Sequence, residues 1–226
     1  MALNFTTTDK ATALNGVKVL VYGQAGAGKT VLTSTAPYPF LISAEGGELS
    51  LRSVAIPMVK VATVDDLRDV YDWCSRSNEA KQFQTICIDS LSEIAEVVLN
   101  NAKRQVKDPR QAYGELIEKM ETTIRLFRDL PGRNVYMSAK MEPSKDELTG
   151  VIKYGPAMPG KQLAVKLPYV FDEVFRLGIN KTPQGESYRF LQTQPDMQYE
   201  AKDRSGVLAP VEPPHLTQLF NKILGV

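Results

Sequence analysis

The sequence holds few of the residues on which protein metal and redox chemistry depend. Among 226 residues there are one histidine and two cysteines. The cysteines, Cys74 and Cys87, are too far apart for a C-x-x-C motif, so we interpret both as reduced intracellular thiols. A single histidine, His215, cannot by itself supply a histidine-rich metal site or a Ser-His-Asp triad. These chemistries are excluded, and we expect a structural role for His215.

Excess charge and long apolar segments are lacking as well. The chain has 27 basic and 26 acidic side chains, a net charge of +1, so no global field draws it to nucleic acid or to an anionic membrane. Any site for a polyanion must therefore be local. No stretch approaches the roughly 18 apolar residues of a membrane span, and residues 1–16 are threonine-rich without an apolar leader segment. We expect a cytoplasmic protein with no membrane partner.

What is present is enough apolar material, 43% of the residues, for the core of one α/β domain. Turn-forming residues separate β-rich runs from amphipathic segments at intervals typical of alternating strands and helices. The predicted fold class is a mostly parallel central sheet flanked by helices, with a C-terminal β-hairpin. This domain spans 17–226 and follows an N-terminal tail at 1–16.

The periodicity also places individual elements. The predicted strands are 17–22, 40–43, 85–89 and 134–138, with a hairpin formed by 174–179 and 188–193. The predicted helices are 29–36, 64–75, one amphipathic helix on each side of Asp108-Pro109, and 216–224. Residues 142–160, with three prolines, three glycines and no steady period, are predicted to form an irregular excursion.

A glycine-rich segment between the first predicted strand and helix is the strongest indication of function. Gly23-Gln24-Ala25-Gly26-Ala27-Gly28-Lys29-Thr30 fits the pattern G-x-x-x-x-G-K-[ST]. The glycines let backbone N–H groups close around phosphate oxygens, Lys29 faces the β and γ phosphates, and Thr30 binds Mg²⁺. The alternative, a glycine-rich turn with a surface lysine, is disfavoured by the flanking strand and helix. The segment therefore predicts a site for ATP and Mg²⁺.

Two acidic residues at the ends of predicted strands complement this segment. Asp89 ends a buried strand and is the predicted second Mg²⁺ ligand; its alternative role is a helix N-cap. Glu45 ends the strand before it, beside two glycines, and is the candidate that activates water. Its alternative is a solvated glutamate entering a turn. Glu93, one helical turn after Asp89, is the competing base.

Taken together, these motifs resemble the core of RecA-type ATPases: a strand, a P-loop, a second strand ending in Glu45-Gly46-Gly47, and an apolar strand ending in Asp89-Ser90. More closely, the chain resembles small phage-encoded, core-only RecA relatives that include ATP-dependent single-strand annealing recombinases. The resemblance extends from about residue 17 to residue 224 and includes 156–161, 171–174 and Lys202-Asp203-Arg204-Ser205-Gly206. It implies a RecA-like P-loop fold and slow, DNA-stimulated ATP hydrolysis in phage recombination or replication.

The resemblance also implies roles for individual residues. Glu45 matches the catalytic glutamate, and the segment that follows the 134–138 strand matches a loop that contacts single-stranded DNA. Lys140 occupies the strand-end sensor position, where RecA carries a glutamine. RecA-type ATPases hydrolyse ATP at subunit interfaces, where a basic residue of the neighbour reaches the γ-phosphate. Lys202 and Arg204 are the candidates for this role, and the alternative is two exposed charges on a turn.

A local basic patch supports the assignment of a DNA loop. Between residues 133 and 166, the basic side chains outnumber Glu142, Asp146 and Glu147 by three. The basic residues are Arg133, Lys140, Lys145, Lys153, Lys161 and Lys166. Lysines that meet phosphates and an aromatic ring that stacks on a base are typical of sequence-tolerant single-strand binding. The candidate DNA-binding residues are Lys140, Lys145, Lys153, Tyr154 and Lys161. The alternative is a solvated loop with Tyr154 packed on the core.

The implied partners are single-stranded DNA, further copies of the chain in a head-to-tail filament or ring, and a single-strand-binding protein. The tail at 1–16 is a candidate oligomerisation arm. A ring-forming helicase-type motor on the same core is one alternative function. Another is a mediator in which ATP orders the loop or the oligomer without turnover. A small-molecule kinase is least favoured, because no separate arginine-rich lid follows from the sequence.

Overall fold

The fold is organised around a central sheet whose middle strands run parallel. This computed structural model describes residues 15–145 and 149–226, together with Phe5 and Thr7. Almost all of the predicted arm at 1–16 therefore lies outside the described residues, as do Asp146 and Glu147. Over the described ranges, no helix is long and apolar enough to cross a bilayer.

Ten strands form the sheet within these ranges. The strands are β1 (Lys18–Gly23), β2 (Pro39–Ser43), β3 (Met58–Lys60), β4 (Thr85–Asp89), β5 (Asn134–Lys145), β6 (Ile152–Pro156), β7 (Glu173–Lys181), β8 (Ser187–Gln192), β9 (Lys202–Asp203) and β10 (Val211–Glu212). Their order is β10-β8-β7-β1-β5-β4-β2-β3, with β6 paired to β5 and β9 to β7. The six strands from β7 to β3 are mutually parallel, and β8, β9, β10 and β6 pair antiparallel with their neighbours.

Helices cover both faces of this sheet. They are α1 (Lys29–Thr33), α2 (Val64–Arg76), α3 (Leu91–Gln105), α4 (Pro109–Arg128), α5 (Lys161–Val170) and α6 (Leu216–Leu224). Alternate side chains of β1 enter separate cores, because successive residues of a strand point to opposite faces. Leu20 and Tyr22 pack with α2 to α5, whereas Val19 and Val21 pack with α1 and α6. The predicted fold class, a mixed α/β domain with a mostly parallel central sheet flanked by helices and a late hairpin, is confirmed.

Several predicted elements coincide with the structure. The strand at 85–89 and the helix at 216–224 have the predicted bounds. Thr63 and Asp66 form a reciprocal capping box at the start of α2, since the Asp66 N–H donates to the Thr63 hydroxyl and the Asp66 carboxylate accepts from the Thr63 N–H. The predicted hairpin is β7 with β8.

The prediction of an irregular excursion at 142–160 is wrong. β5 continues to Lys145 and pairs antiparallel with β6, so this segment is an extended two-stranded ribbon that leads into α5. The burial of β5 explains why no period was visible. Its residues are buried as far as Ala139 and then become partly or fully exposed, so neither face of the ribbon requires apolar side chains.

The parallel sheet determines where functional residues meet. The carboxyl ends of β1, β2, β4 and β5 lie at one edge, where α/β proteins usually bind ligands. The glycine-rich segment follows β1 at this edge, and Asp89 and Glu45 lie at the ends of the neighbouring strands. Lys140 is the register partner of Gly23. The fold therefore collects the candidate nucleotide-site residues at these carboxyl ends.

Candidate nucleotide site

The glycine-rich segment forms a tight loop between β1 and α1. Gly26 and Gly28 have φ angles of 75° and 106°, which lie in the left-handed region that favours glycine. Lys29 is only 7% exposed, and its Nζ donates to the carbonyls of Gly23 at 2.9 Å and Gln24 at 3.1 Å. Burial lowers the pKa of Lys29, while Glu45 and Asp89 act in the opposite direction. The loop therefore holds a buried ammonium against its own carbonyls, and this is a charge of the sign that phosphate binding requires.

Thr30 and Asp89 meet directly, although 59 residues separate them. The Thr30 hydroxyl donates to Asp89 Oδ2 at 2.6 Å, and the Ser138 hydroxyl donates to Asp89 Oδ1. A hydroxyl beside a carboxylate is the oxygen donor set that Mg²⁺ uses in nucleotide sites, with phosphate and water completing its shell. The pair therefore fits the predicted metal. The described part of the chain contains no larger cluster of histidine, cysteine and acidic side chains suited to a metal ion.

The N-cap alternative for Asp89 does not hold. Ser90 is the N-cap of α3, and its side chain accepts from the Glu93 N–H. Asp89 is 1% exposed and takes part in no cap. Its carboxylate is engaged only by the two hydroxyls within the described ranges, which leaves it aimed at the P-loop.

Glu45 follows β2 at the same edge of the sheet. Its N–H donates to the Asp89 carbonyl at 3.3 Å, and its exposed carboxylate has no hydrogen-bond partner among the residues that the structure describes. The backbone continues close past the P-loop, since a Cβ at Gly47 would lie 2.9 Å from Thr30 Oγ1. Glu48 is engaged elsewhere, because its carboxylate accepts from Ser43 and pairs with Lys60. Glu45 is thus the free carboxylate beside Thr30 and Asp89.

Lys140 and Glu93 form an ion pair in the middle of β5, where the strand leaves the buried part of the sheet. The hydrogen bond from Lys140 to Glu93 raises the pKa of the lysine. The same junction is fixed by backbone contacts: Lys140 N–H donates to Ser92 Oγ, and Ser92 Oγ donates to the Ala157 carbonyl. Ala157 N–H in turn donates to the Lys140 carbonyl. The base of the β5–β6 ribbon is therefore joined to α3, three residues after Asp89.

The candidate DNA residues are divided between the two faces of the ribbon. Lys145 lies opposite Ile152 and Lys153 opposite Ser144, and directly opposite residues share a face. Lys145 and Tyr154 are therefore on one face and Lys153 is on the other. Lys145, Lys153 and Lys161 are exposed, the last at the start of α5.

Tyr154 is held in a stack of side chains rather than extended into solvent. Its ring stacks on Tyr199 with centroids 5.3 Å apart, and the Arg176 guanidinium lies 3.5 Å from the Tyr199 ring centroid. The buried Tyr22 hydroxyl donates to the carbonyls of Tyr154 at 3.1 Å and Glu200 at 2.6 Å. This stack connects β1 of the P-loop to the ribbon.

Lys202 and Arg204 lie at the amino ends of the parallel strands, whereas the P-loop lies at their carboxyl ends. β9 pairs with the amino end of β7, where Lys202 is opposite Val174. Lys202 Nζ donates to the carbonyls of Pro168 and Phe171, and Arg204 pairs with Asp172 at 2.6 Å. Neither cation therefore belongs to the nucleotide site of its own chain.

A buried carboxyl group supports the Lys202 and Arg204 segment and makes stability depend on pH. Glu173 is 1% exposed, and burial together with the Asp203 carboxylate raises the pKa of Glu173 from 4.5 to about 8. The folded protein then keeps a proton that the unfolded chain releases. The free energy of unfolding should therefore fall as the pH rises from 4.5 to about 8, at a slope of at most about 1.4 kcal/mol per pH unit.

Urea denaturation of Glu173→Gln at several pH values tests this expectation. The amide stays neutral, so the variant should have a flatter pH dependence of stability than the wild type. Glu186→Gln, at an exposed position of the β7–β8 turn, is the matched control and should retain the wild-type slope. Equal slopes for Glu173→Gln and wild type would contradict the assignment.

Sequence reasoning missed three residues that contact the site. Ser138 orients Asp89, and the buried Tyr136 hydroxyl donates to the Lys29 carbonyl at 2.8 Å. Arg189, on β8, donates from Nε to the Ala27 carbonyl at 2.8 Å. The polar side chains in the apolar run of β5 were a signal for the first two. Arg189 had none, because its proximity depends on the strand order.

Comparison with known proteins is consistent with this geometry. A family model described as an AAA domain matches residues 15–205. Among solved structures, a KaiC-like protein from Pyrococcus horikoshii is 16% identical with a TM-score of 0.46, covering 81% of this chain and 82% of that one. The flagellar accessory protein FlaH from Methanocaldococcus jannaschii is 12% identical with a TM-score of 0.48, covering 90% and 86%. A search among proteins of curated function finds no significant match.

Proposed function

We propose that this chain, which belongs to the AAA domain family and is an ATPase, couples hydrolysis of Mg-ATP to the binding and annealing of single-stranded DNA. Phage recombination or replication is the proposed setting. The observation that carries this proposal is the β5–β6 ribbon, which presents exposed lysines and is joined at its base to the residues that follow Asp89. A change at the nucleotide can therefore be transmitted to a surface suited to DNA.

The residues of the site divide the proposed reaction among them. The loop N–H groups and Lys29 bind the β and γ phosphates, and Thr30 with Asp89 would hold Mg²⁺, which neutralises phosphate charge when bound. Glu45 orients and deprotonates the attacking water, since its carboxylate has no other partner in the described ranges. Ser138 keeps the Asp89 carboxylate directed at Thr30.

Lys140 is the proposed link between hydrolysis and DNA. It pairs with Glu93, while its backbone forms the junction with Ser92 and Ala157 at the base of the ribbon. Loss of the γ-phosphate would alter the field around Lys140, because Lys140 lies close enough to Glu45 and Glu93 for both carboxylates to act on its charge. The ribbon would then shift as a unit, since its strands pair along their described length.

Two assays test this function. One measures steady-state ATP hydrolysis with and without single-stranded DNA, and the other measures annealing of complementary strands with and without ATP. We expect DNA to stimulate hydrolysis and ATP to accelerate annealing. Full annealing with a non-hydrolysable analogue would instead identify a mediator. Strand displacement that requires continuous hydrolysis would identify a helicase-type motor. The proposal would be contradicted if DNA did not change the rate of hydrolysis and ATP did not change the rate of annealing.

The ribbon lysines should account for part of the salt dependence of DNA binding. In Lys145→Ala with Lys153→Ala, two phosphate contacts are lost, so the slope of log affinity against log salt should decrease by about 1.4. Fluorescence anisotropy with a labelled oligonucleotide measures this slope. Arg104→Ala with Lys107→Ala removes the same charge from the exposed last turn of α3 and the segment that follows it, and should leave the slope unchanged. Equal effects of the two double variants would exclude the ribbon as the specific contact.

Assembly is the remaining part of the proposal. Lys202 and Arg204 would complete the site of a neighbouring copy in a head-to-tail filament or ring, stabilising charge on the γ-phosphate. Their place at the amino ends of the parallel strands, away from their own P-loop, supports such an arrangement.

A further inference from the structure

The β7–β8 hairpin brings a cation to the outside of the P-loop. Arg189 lies directly opposite Ile179 in this hairpin and shares a face with Leu191, two residues further along β8. Leu191 is completely buried in the core cluster that also contains Ala27. The strand therefore directs Arg189 past the rim of this core and onto the loop.

The contact with the loop is specific. Arg189 Nε donates to the Ala27 carbonyl at 2.8 Å, and a Cβ added at Gly28 would lie 3.1 Å from the same nitrogen. The phosphate cradle of a P-loop is formed by N–H groups. A guanidinium bonded to a carbonyl of the loop therefore lies beside the cradle and not inside it. Its two Nη groups have no acceptor among the described residues.

The position of Arg189 relative to the metal ligands indicates which part of a nucleotide it would meet. Thr30, Asp89 and Glu45 lie towards β4 and β2, where Thr30 and Asp89 would hold the metal that neutralises the charge of the terminal phosphates. β8 lies on the other side of β1, beyond β7. A nucleotide with its γ-phosphate at Asp89 thus extends its nucleoside end towards β8.

We propose that Arg189 forms the nucleoside subsite of this ATPase, where its guanidinium contacts the base and ribose of the bound nucleotide. A guanidinium stacks on aromatic faces and donates in the plane, so it suits a purine with its sugar better than an ammonium does. The β8 strand holds this group more rigidly than a loop would. This inference rests on the proposed nucleotide site. It adds a residue that contacts the nucleoside, so the site would bind ATP more tightly than a phosphate chain alone.

Calorimetric titration with ATP and with inorganic tripolyphosphate, both with Mg²⁺, tests the subsite. Tripolyphosphate reproduces the phosphate chain but lacks the nucleoside. Arg189→Ala should weaken ATP binding on the order of tenfold and leave tripolyphosphate binding unchanged. Arg189→Lys should also weaken ATP binding, because lysine lacks the planar group. Retained tripolyphosphate binding shows that each variant is folded.

Lys181→Ala removes an exposed cation from the same hairpin and should alter neither ligand. An equal loss of both ligands in Arg189→Ala would mean that Arg189 only shapes the loop, and this would overturn the subsite. Unchanged ATP binding would overturn it as well. Failure of the wild-type protein to bind either ligand would instead overturn the nucleotide site on which the inference rests.

Discussion

Replacement of Lys29 by alanine should reduce ATP turnover on the order of a hundredfold or more. The Lys29 ammonium is buried and donates to the carbonyls of Gly23 and Gln24, so the folded loop already holds this charge in place, and alanine leaves no cation there. Preorganised charges of this kind act most strongly where charge develops during phosphoryl transfer. Steady-state hydrolysis under saturating Mg-ATP measures the loss, and nucleotide titration shows how much of it is due to binding.

A lysine outside the P-loop provides the control for this effect. Lys60, on edge strand β3, pairs with Glu48 and is largely exposed, so Lys60→Ala removes one positive charge near the site without touching the loop. Its turnover should match that of the wild type. Because Lys29 is buried, thermal unfolding of Lys29→Ala should accompany the assay to show that the fold is kept. Turnover in a folded Lys29→Ala equal to that of Lys60→Ala would refute the P-loop assignment.

The sequence was sufficient for the parts of the site that depend on contiguous residues. The loop from Gly23 to Thr30 is defined by spacing along the chain, and its flanking strand and helix are predicted by the same local pattern. Asp89 ends an apolar run, and such runs are buried strands in a parallel sheet. These features require no knowledge of which strands become neighbours.

The remaining contacts depend on the strand order, which local periodicity does not encode. Ser138 reaches Asp89 because β5 lies beside β4, and Arg189 reaches Ala27 because the β7–β8 hairpin lies on the other side of β1. Tyr154 was predicted to stack on a DNA base because it lies in a basic segment. In the structure its ring stacks on Tyr199, which comes from a distant part of the chain. Residues that position a site are thus harder to find from sequence than those that form it.

The same limit applies to the β5–β6 ribbon. Period-two alternation marks a strand only where one face is buried, and beyond Ala139 this ribbon leaves the core. Its pairing is specified by backbone hydrogen bonds and by the junction at Ser92 and Lys140. Prolines and glycines that suggested an irregular loop are tolerated there, because Pro143 lies in the part of β5 that extends beyond β1 and β4 and pairs with β6 alone.

Glu45→Gln should retain ATP binding and lose turnover by about 10² to 10⁴-fold, the usual contribution of a positioned general base. Glutamine has the same size but cannot accept the proton of the attacking water. The expectation rests on two contacts that follow β2, the Glu45 N–H bonded to the Asp89 carbonyl and the close approach of Gly47 to Thr30. It also rests on the Glu45 carboxylate, which has no hydrogen-bond partner in the described part of the chain. Single-turnover hydrolysis separates this chemical step from product release.

Two neighbouring glutamates make the test selective. Glu93 is the competing base, but its carboxylate is occupied by Lys140, and Glu48 accepts from Ser43 and pairs with Lys60. Glu93→Gln and Glu48→Gln should therefore hydrolyse ATP at rates close to that of the wild type. Glu93→Gln has a second use, because it breaks the ion pair at the base of the ribbon and should reduce stimulation by DNA more than basal hydrolysis. If Glu93→Gln abolished basal turnover while Glu45→Gln retained it, the general base would be Glu93, and Lys140 would be the residue that controls its access to the water.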